Sequence, residues 1–258
     1  MKLFLAAFML FAGTLPAAAQ WLDRPWPGIP RTTDGMPDLT APAPRGPDGQ
    51  PDLTGVWNGP PPLVRLDSAT LQPWVTDLVR QRQQEYYKTR PVYRCQPSGP
   101  ESQRFGGWKR FLQTPTAIAI LNGDLTYRVI HMDGRELEAD PFPSWAGYSV
   151  GRWDGDTLVV DTTNFDPKTR YQGSRDTLHL VERYTRVDEN TIDYQFTIDD
   201  PQTFTRPWTV LRPMTRVTDR VSIFEYACHG GNYAMEGILA GARAEEKAAA
   251  QAANQGSR

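Results

Sequence analysis

Acid–base chemistry needs a carboxylate or imidazole held out of bulk water, and few side chains of this sequence are placed to supply one. Glu182 is the first. In the predicted strand 177–187, period-two alternation puts Glu182 on one face with Leu178, Leu180 and Tyr184, and puts His179 on the other with Val181 and Arg183. If the apolar face looks inward, burial favours the neutral carboxyl and raises its pKa, as suits a general acid or base. The alternative is that Glu182 pairs with an inward arginine such as Arg128 and specifies the core. Asp161 interrupts Leu158-Val159-Val160 and shares a face with Thr157 and Val159. A strand carboxylate is costly to bury alone, so Asp161 either faces water or has a partner. Glu182, Asp161, His179 and His131 are thus the candidate catalytic set.

Metal chemistry is not indicated. His131, His179 and His229 lie in three separate segments without ligand spacing. His179-x-x-Glu182 would share a face on a helix, but on a strand its two members point apart unless a bulge intervenes.

A second cluster surrounds the turn Asp133-Gly134-Arg135, with His131 two residues before it. It reads either as a turn in which Asp133 accepts backbone hydrogen bonds, or as a rim where Arg135, Asp133 and Arg128 grip an anionic or hydroxylated ligand. Trp145, Tyr148, Trp153 and Trp208 could stack on flat rings or sugars, and equally they suit the core of a β protein. No glycine-rich phosphate loop lies between a strand and a helix. Gly147-Tyr-Ser149-Val-Gly151 has the letters of a nucleophile elbow, but a strand follows it instead of a helix.

The elements that must position these residues are mostly strands. Segments 116–121 and 126–131 flank Asn122-Gly123-Asp124, and 148–153 and 157–163 flank Asp154-Gly155-Asp156, both hairpin signals. Segments 177–187 and 191–199 flank Asp188-Glu189-Asn190. Segments around Trp57, 205–217 and 221–228 bring the set to about nine strands in up-and-down order. Such an antiparallel meander avoids open edges by closing into a barrel or stacking as two sheets. Leu71, Trp74, Val75, Leu78 and Val79 fall at helical spacing, with Pro73 suited to a first turn, and predict a helix within 69–88. Residues 89–112 read as irregular. An Ala-, Glu- and Lys-rich stretch predicts a C-terminal helix over 232–252, followed by a disordered tail, 253–258.

The first residues add a compartment. Lys2, an apolar run from Leu3 to Leu15 and Ala17-Ala18-Ala19 have the form of a signal peptide over residues 1–19, cleaved near Ala19. The run is shorter than the ~20 residues that span a bilayer, so no membrane span is expected in the mature protein. Residues 20–52 form a Pro/Gly-rich extension in which Asp34-Gly-Met-Pro-Asp-Leu-Thr40 returns as Asp48-Gly-Gln-Pro-Asp-Leu-Thr54. It is expected to lie extended on a single domain, 53–252. Export makes a Cys95–Cys228 disulfide plausible, worth on the order of 4–5 kcal/mol in the chain-entropy model. A free thiol at Cys228 beside His229 is the other reading. With 28 Lys+Arg against 30 Asp+Glu there is no basic surplus for nucleic acid. ATP and NAD are scarce outside the cytoplasm, so no cofactor is expected.

Two resemblances follow from particular residues. Gly147-Tyr-Ser-Val-Gly-Arg-Trp-Asp-Gly-Asp-Thr-Leu-Val-Val-Asp-Thr162 resembles a run found in a large group of exported bacterial proteins. Asp52–Trp57, Asp133-Gly-Arg135, Leu178–Arg183, Thr197–Pro201, Arg206-Pro-Trp208 and Glu225–His229 match the same group, which carries no established activity. Gly55-x-Trp57 opening a meander that ends in a helix is similar to lipocalin-like proteins. That similarity implies a Trp across the bottom of a barrel and an interior holding a small apolar molecule. The long extension and the 69–88 helix depart from that pattern. The expected function is therefore a periplasmic or secreted binding protein for a small apolar or aromatic molecule. The alternatives are a cofactor-independent lyase, hydratase, isomerase or hydrolase, and a carbohydrate-binding or structural module.

Overall fold

The computed structural model describes residues 32–34, 42–59, 70–89, 96–97, 99–100, 107–137, 142–169, 177–218, 223 and 233–256. The signal peptide, the 221–228 strand, His229 and the Cys95–Cys228 pair lie outside the described residues. Nine strands appear among those described: β1 (Gly55–Gly59), β2 (Gly107–Gln113), β3 (Ala117–Asn122), β4 (Tyr127–His131), β5 (Tyr148–Asp154), β6 (Thr157–Thr163), β7 (His179–Arg186), β8 (Thr191–Asp199) and β9 (Trp208–Arg216). They close into one barrel in sequence order. Helix α1 spans Pro73–Gln84, and α2 spans Tyr233–Gly256, running beyond the expected end at 252. Among the described residues no helix is long and apolar enough to cross a membrane.

One pairing departs from the antiparallel meander. β4 and β5 run parallel, over Ile130↔Ser149 and His131↔Val150 only. The reason is parity. Each antiparallel step reverses strand direction, and a closed ring must return to its starting direction, so the number of such steps is even. Nine strands therefore require a parallel step, and it falls where segment 132–147 is long enough to carry the chain back.

β2 is the other departure, lying where irregular chain was expected. Its inward side chains include Lys109 and Gln113 around Phe111, while Leu112 faces out. With polar residues inside, the usual alternation of apolar-in and polar-out is absent from this strand. Burial alternates on β7, where Leu180, Glu182, Tyr184 and Arg186 are buried, and on β8, where Ile192, Tyr194, Phe196 and Ile198 are.

Inward side chains fill the barrel. Phe111, Ile118, Ile120, Ile130, Leu158, Val160, Leu180 and Phe196 pack into one cluster that also holds Trp57. Trp57 is fully buried; its Nε1 donates to the Leu53 carbonyl at 2.9 Å. The guanidinium carbons of Arg186 and Arg216 each lie 5.3 Å from its ring centroid, a cation–π arrangement. The last part of the extension lies against the barrel: Arg45 holds Asp156 in the β5–β6 turn through bonds of 2.9 and 2.6 Å. Helix α1 is pinned to the β8–β9 turn, where Trp74 Nε1 donates to Gln202 O at 2.8 Å.

Candidate functional site

Because β4 and β5 share only two rungs, their remaining lengths diverge. The gap is a cleft of about 460 Å³ lined by Leu125–Val129, His131, Ser144–Ser149, Pro97 and Gly99. Both faces of the barrel wall contribute to it. Tyr127, Val129 and His131 come from outside β4, while Arg128 and Ser149 are inward side chains, 3% and 1% exposed. The seam thus brings outward-facing and inward-facing residues of the wall together.

Behind the cleft floor stands a buried polar network. Arg128 Nη1 lies 2.5 Å from Glu182 Oε2 and donates to Thr162 Oγ1 at 3.3 Å, and Nη2 donates to Tyr184 OH at 3.0 Å. Glu182 Oε1 accepts from Tyr184 OH at 2.8 Å and Tyr194 OH at 2.7 Å. The two phenol rings stack at 4.7 Å. Ser149 Oγ and Thr162 Oγ1 share a bond of 2.9 Å, and Lys109 Nζ donates to Asn122 Oδ1 at 2.9 Å.

Electrostatics follow from burial and from Glu182. Burial pulls the Arg128 guanidinium toward neutrality, but the adjacent carboxylate more than offsets this and its pKa is raised. Burial, with Glu182 adding to it, pushes both Tyr184 and Tyr194 well above the ordinary phenol value. Lys109 is lowered to about 8, first by burial and then by Arg128. Two carboxylates act on these cations: Glu182 on Arg128, and both Glu182 and Asp124 on Lys109.

The rim carries the Asp133-Gly134-Arg135 turn. Arg135 Nε and Nη2 bind Asp133 at 2.8 and 2.6 Å, and Arg135 Nη1 reaches Tyr148 OH at 3.4 Å. The hydrogen bonds from Arg135 hold the Asp133 carboxyl down at about 2. Tyr148 in turn packs on His131, with centroids 5.4 Å apart. Six sequence candidates (Arg128, His131, Asp133, Arg135, Trp145 and Tyr148) therefore meet at one cleft and its rim.

The remaining candidates do not join them. Asp161 and His179 lie on the outer face of β6 and β7, where His179 Nε2 and Asp161 Oδ1 are 3.0 Å apart and Arg152 holds Asp161 Oδ2 at 2.8 Å. Val160↔Glu182 and Asp161↔Val181 are successive rungs. Glu182 therefore faces in where Asp161 faces out, and the two cannot share one acid–base chamber. Trp153 and Trp208 pack against the core, Trp208 edge-on to Phe196 and Phe204. Their size serves packing, and neither lines the cleft. Among the described residues no group of three or more His, Cys, Asp and Glu comes together as a metal would need.

The sequence reading missed Lys109, Ser149, Thr162 and Tyr194. Tyr194 was recoverable: Tyr184↔Tyr194 is a directly paired rung, and both lie on the Glu182 face. Comparisons with protein-family models, with curated proteins and with solved structures give no match.

Proposed function

We propose that this chain is an exported binding protein for a small, mainly apolar or aromatic molecule, released after cleavage near Ala19, and that the ligand sits in the β4–β5 seam. The observation that carries this reading is the cleft itself. It joins ring surfaces of Tyr127, Trp145 and Tyr148 to buried polar groups of Arg128 and Ser149. An apolar wall with a few convergent polar groups is the usual composition of a small-molecule site. The filled interior moves the ligand from the lumen, where a lipocalin-like analogy would put it, to the joint in the wall. Acid–base catalysis by Glu182 with Asp161 or His179 has no common chamber in which to run.

Native mass spectrometry of the mature protein purified from its own host tests the reading. A low-mass adduct is expected, and Trp145→Ala, at a half-buried wall position, should lower its occupancy at least five-fold while leaving the fold intact. An adduct that survives unchanged in Trp145→Ala, or a protein that carries none and takes up no aromatic probe, overturns it.

A further inference from the structure

The outer surface of the barrel is not uniform. Across β5–β8 its outward side chains are largely polar, among them Arg152, Asp161, Arg183, Asp193 and Gln195. Across β2–β4 they are largely apolar. Leu112, Ala119 and Val129 form one row over the three strands, and Leu121 and Tyr127 form the next, beside Arg110. Leu112 and Val129 are exposed, as is Leu125 in the β3–β4 turn, and Tyr127 is 65% exposed. An exposed, contiguous apolar patch marks an interaction surface. Its middle strand carries the smallest side chains, Ala117 and Ala119, with larger ones on β2 and β4 to either side. The patch is therefore a groove along β3.

The same chain carries an uncovered apolar stripe. In α2, Met235, Ile238, Leu239 and Ala242 fall at i, i+3, i+4 and i+7, the spacing of one helix face. All side chains from Glu236 to Ala253 are exposed, Leu239 at 51%. Groove and stripe agree in length. From Met235 to Ala242 the helix advances ~10 Å, within the ~17 Å spanned by a strand segment such as Ala117–Leu121. They agree in charge as well. Arg110 at the groove edge has no hydrogen-bond or ion-pair partner among the described residues, and neither do Glu245 and Glu246, one turn beyond the stripe.

We infer that α2 of one copy lies in the β2–β4 groove of a second copy, and that the docking is reciprocal. Size decides the second point. A helix footprint of about 17 by 10 Å buries on the order of 500 Å² over both sides, half the ~1,000 Å² that a specific interface needs. Two such contacts related by a two-fold axis reach that area and leave neither a groove nor a stripe open. Tyr127 and Val129 also line the cleft, so the docked helix runs along its edge. The pairing needs no ligand and stands apart from the binding reading.

Sedimentation equilibrium of the mature protein, from micromolar to submillimolar concentration, tests the pairing. A dimer is expected. Val129→Glu in the groove and Leu239→Glu in the stripe should each weaken it at least ten-fold, because each would place a carboxylate in an apolar contact. Both positions are exposed in the single chain, so the far-UV spectrum should stay that of wild type. Gln195→Glu, on the polar outer face of β8, should leave the dimer unchanged. A chain that stays monomeric at the highest concentration overturns the inference, and so does a dimer whose strength neither groove nor stripe variant alters.

Discussion

The β7–β8 wall and the β4–β5 seam belong to one closed sheet, yet they are held together differently. β7 and β8 are paired continuously from His179↔Asp199 to Arg186↔Ile192, while β4 and β5 meet at two rungs. The wall is held by its backbone. The seam is held by side chains that cross the interior or the rim: Arg128 to Glu182 and Thr162, and Arg135 with His131 to Tyr148. A nine-strand ring needs a parallel step; that step and the antiparallel β1–β9 closure are each held by two rungs, and the cleft opens at the parallel one. Short pairings belong to the less stable parts of a fold.

The hardest blow to this contrast is Glu182→Leu. It removes the anchor on the wall side and leaves Arg128 buried without its carboxylate. Breaking a buried pair from one side costs about 3–5 kcal/mol, read as a lower urea midpoint. Hydrogen exchange should show amides of β4 opening before those of β8. Arg128→Met combined with Glu182→Leu should restore most of the loss, because no charge is then stranded. A single-variant loss under about 1 kcal/mol would mean that water reaches the pair and that the seam is not tied through it.

Gly147 tests the seam from its other side. Its φ is +74°, and an added Cβ would lie 2.7 Å from the Thr163 carbonyl oxygen and 2.9 Å from the Phe165 ring. Gly147→Ala therefore combines left-handed strain with overpacking against backbone, a loss of about 2–4 kcal/mol. The displaced strand entry would also narrow the cleft, so affinity for an aromatic probe should fall together with stability. A variant that binds normally despite the lost stability would place the ligand elsewhere.

How much of this could be read in the sequence depended on which face was polar. The barrel and three hairpin turns were legible because burial alternates along β3, β7 and β8, and because Asn122-Gly123, Asp154-Gly155 and Asp188-Glu189-Asn190 mark the turns. The wall face of Glu182 followed from spacing alone, while pairing with an arginine such as Arg128 was one of two readings that spacing left open. β2 escaped because Lys109 and Gln113 point inward and Leu112 outward, which inverts the signal. The seam escaped for a different reason. Strand polarity between β4 and β5 is a property of the closed ring, and no local residue pattern encodes it. Asp133, Arg135, His131 and Tyr148 were recognisable as polar or aromatic groups near a turn, but their convergence waited on that parallel step.

Lys109 gives the comparison a pH axis. Its folded pKa is lowered to about 8, chiefly by burial, against ~10.4 in an unfolded chain. Between these values the unfolded chain holds a proton that the folded one has lost, so stability rises with pH across that window. Tyr184 and Tyr194 act oppositely. Their raised folded pKa values confer stability that is complete below pH ~10 and is lost as pH climbs further. Stability should rise from about pH 8 and peak near pH ~10, the gain being on the order of 3 kcal/mol. Lys109→Met should flatten that rise and leave the fall above pH 10. A rise that survives Lys109→Met would assign it to another group.

The smallest effect belongs to the outer face of the wall, and its smallness sharpens the contrast. Asp161 with His179 and Arg152 repeats the ingredients of the inner network, one carboxylate with cationic and hydrogen-bonding partners, but Arg152 and His179 are open to water. Surface pairs of this kind contribute ~0–1 kcal/mol, so Asp161→Asn should shift the unfolding midpoint by no more than that, and less in high salt. The Asp161 pKa is lowered, first by the bond from His179 and then by Arg152. A lowered acid contributes stability that is present above the ordinary aspartate value of ~3.9 and is lost as pH falls through the folded value. Wild type and Asp161→Asn should therefore differ at pH 6 and converge as pH falls through the lowered Asp161 value. Because the wall is already closed by backbone hydrogen bonds on both sides of Asp161, exchange of the β4 amides should be identical in the two proteins. If the seam loosened when Asp161 was changed, the outer cluster would be coupled to the inner one through the wall, and burial would no longer be what separates the two carboxylates.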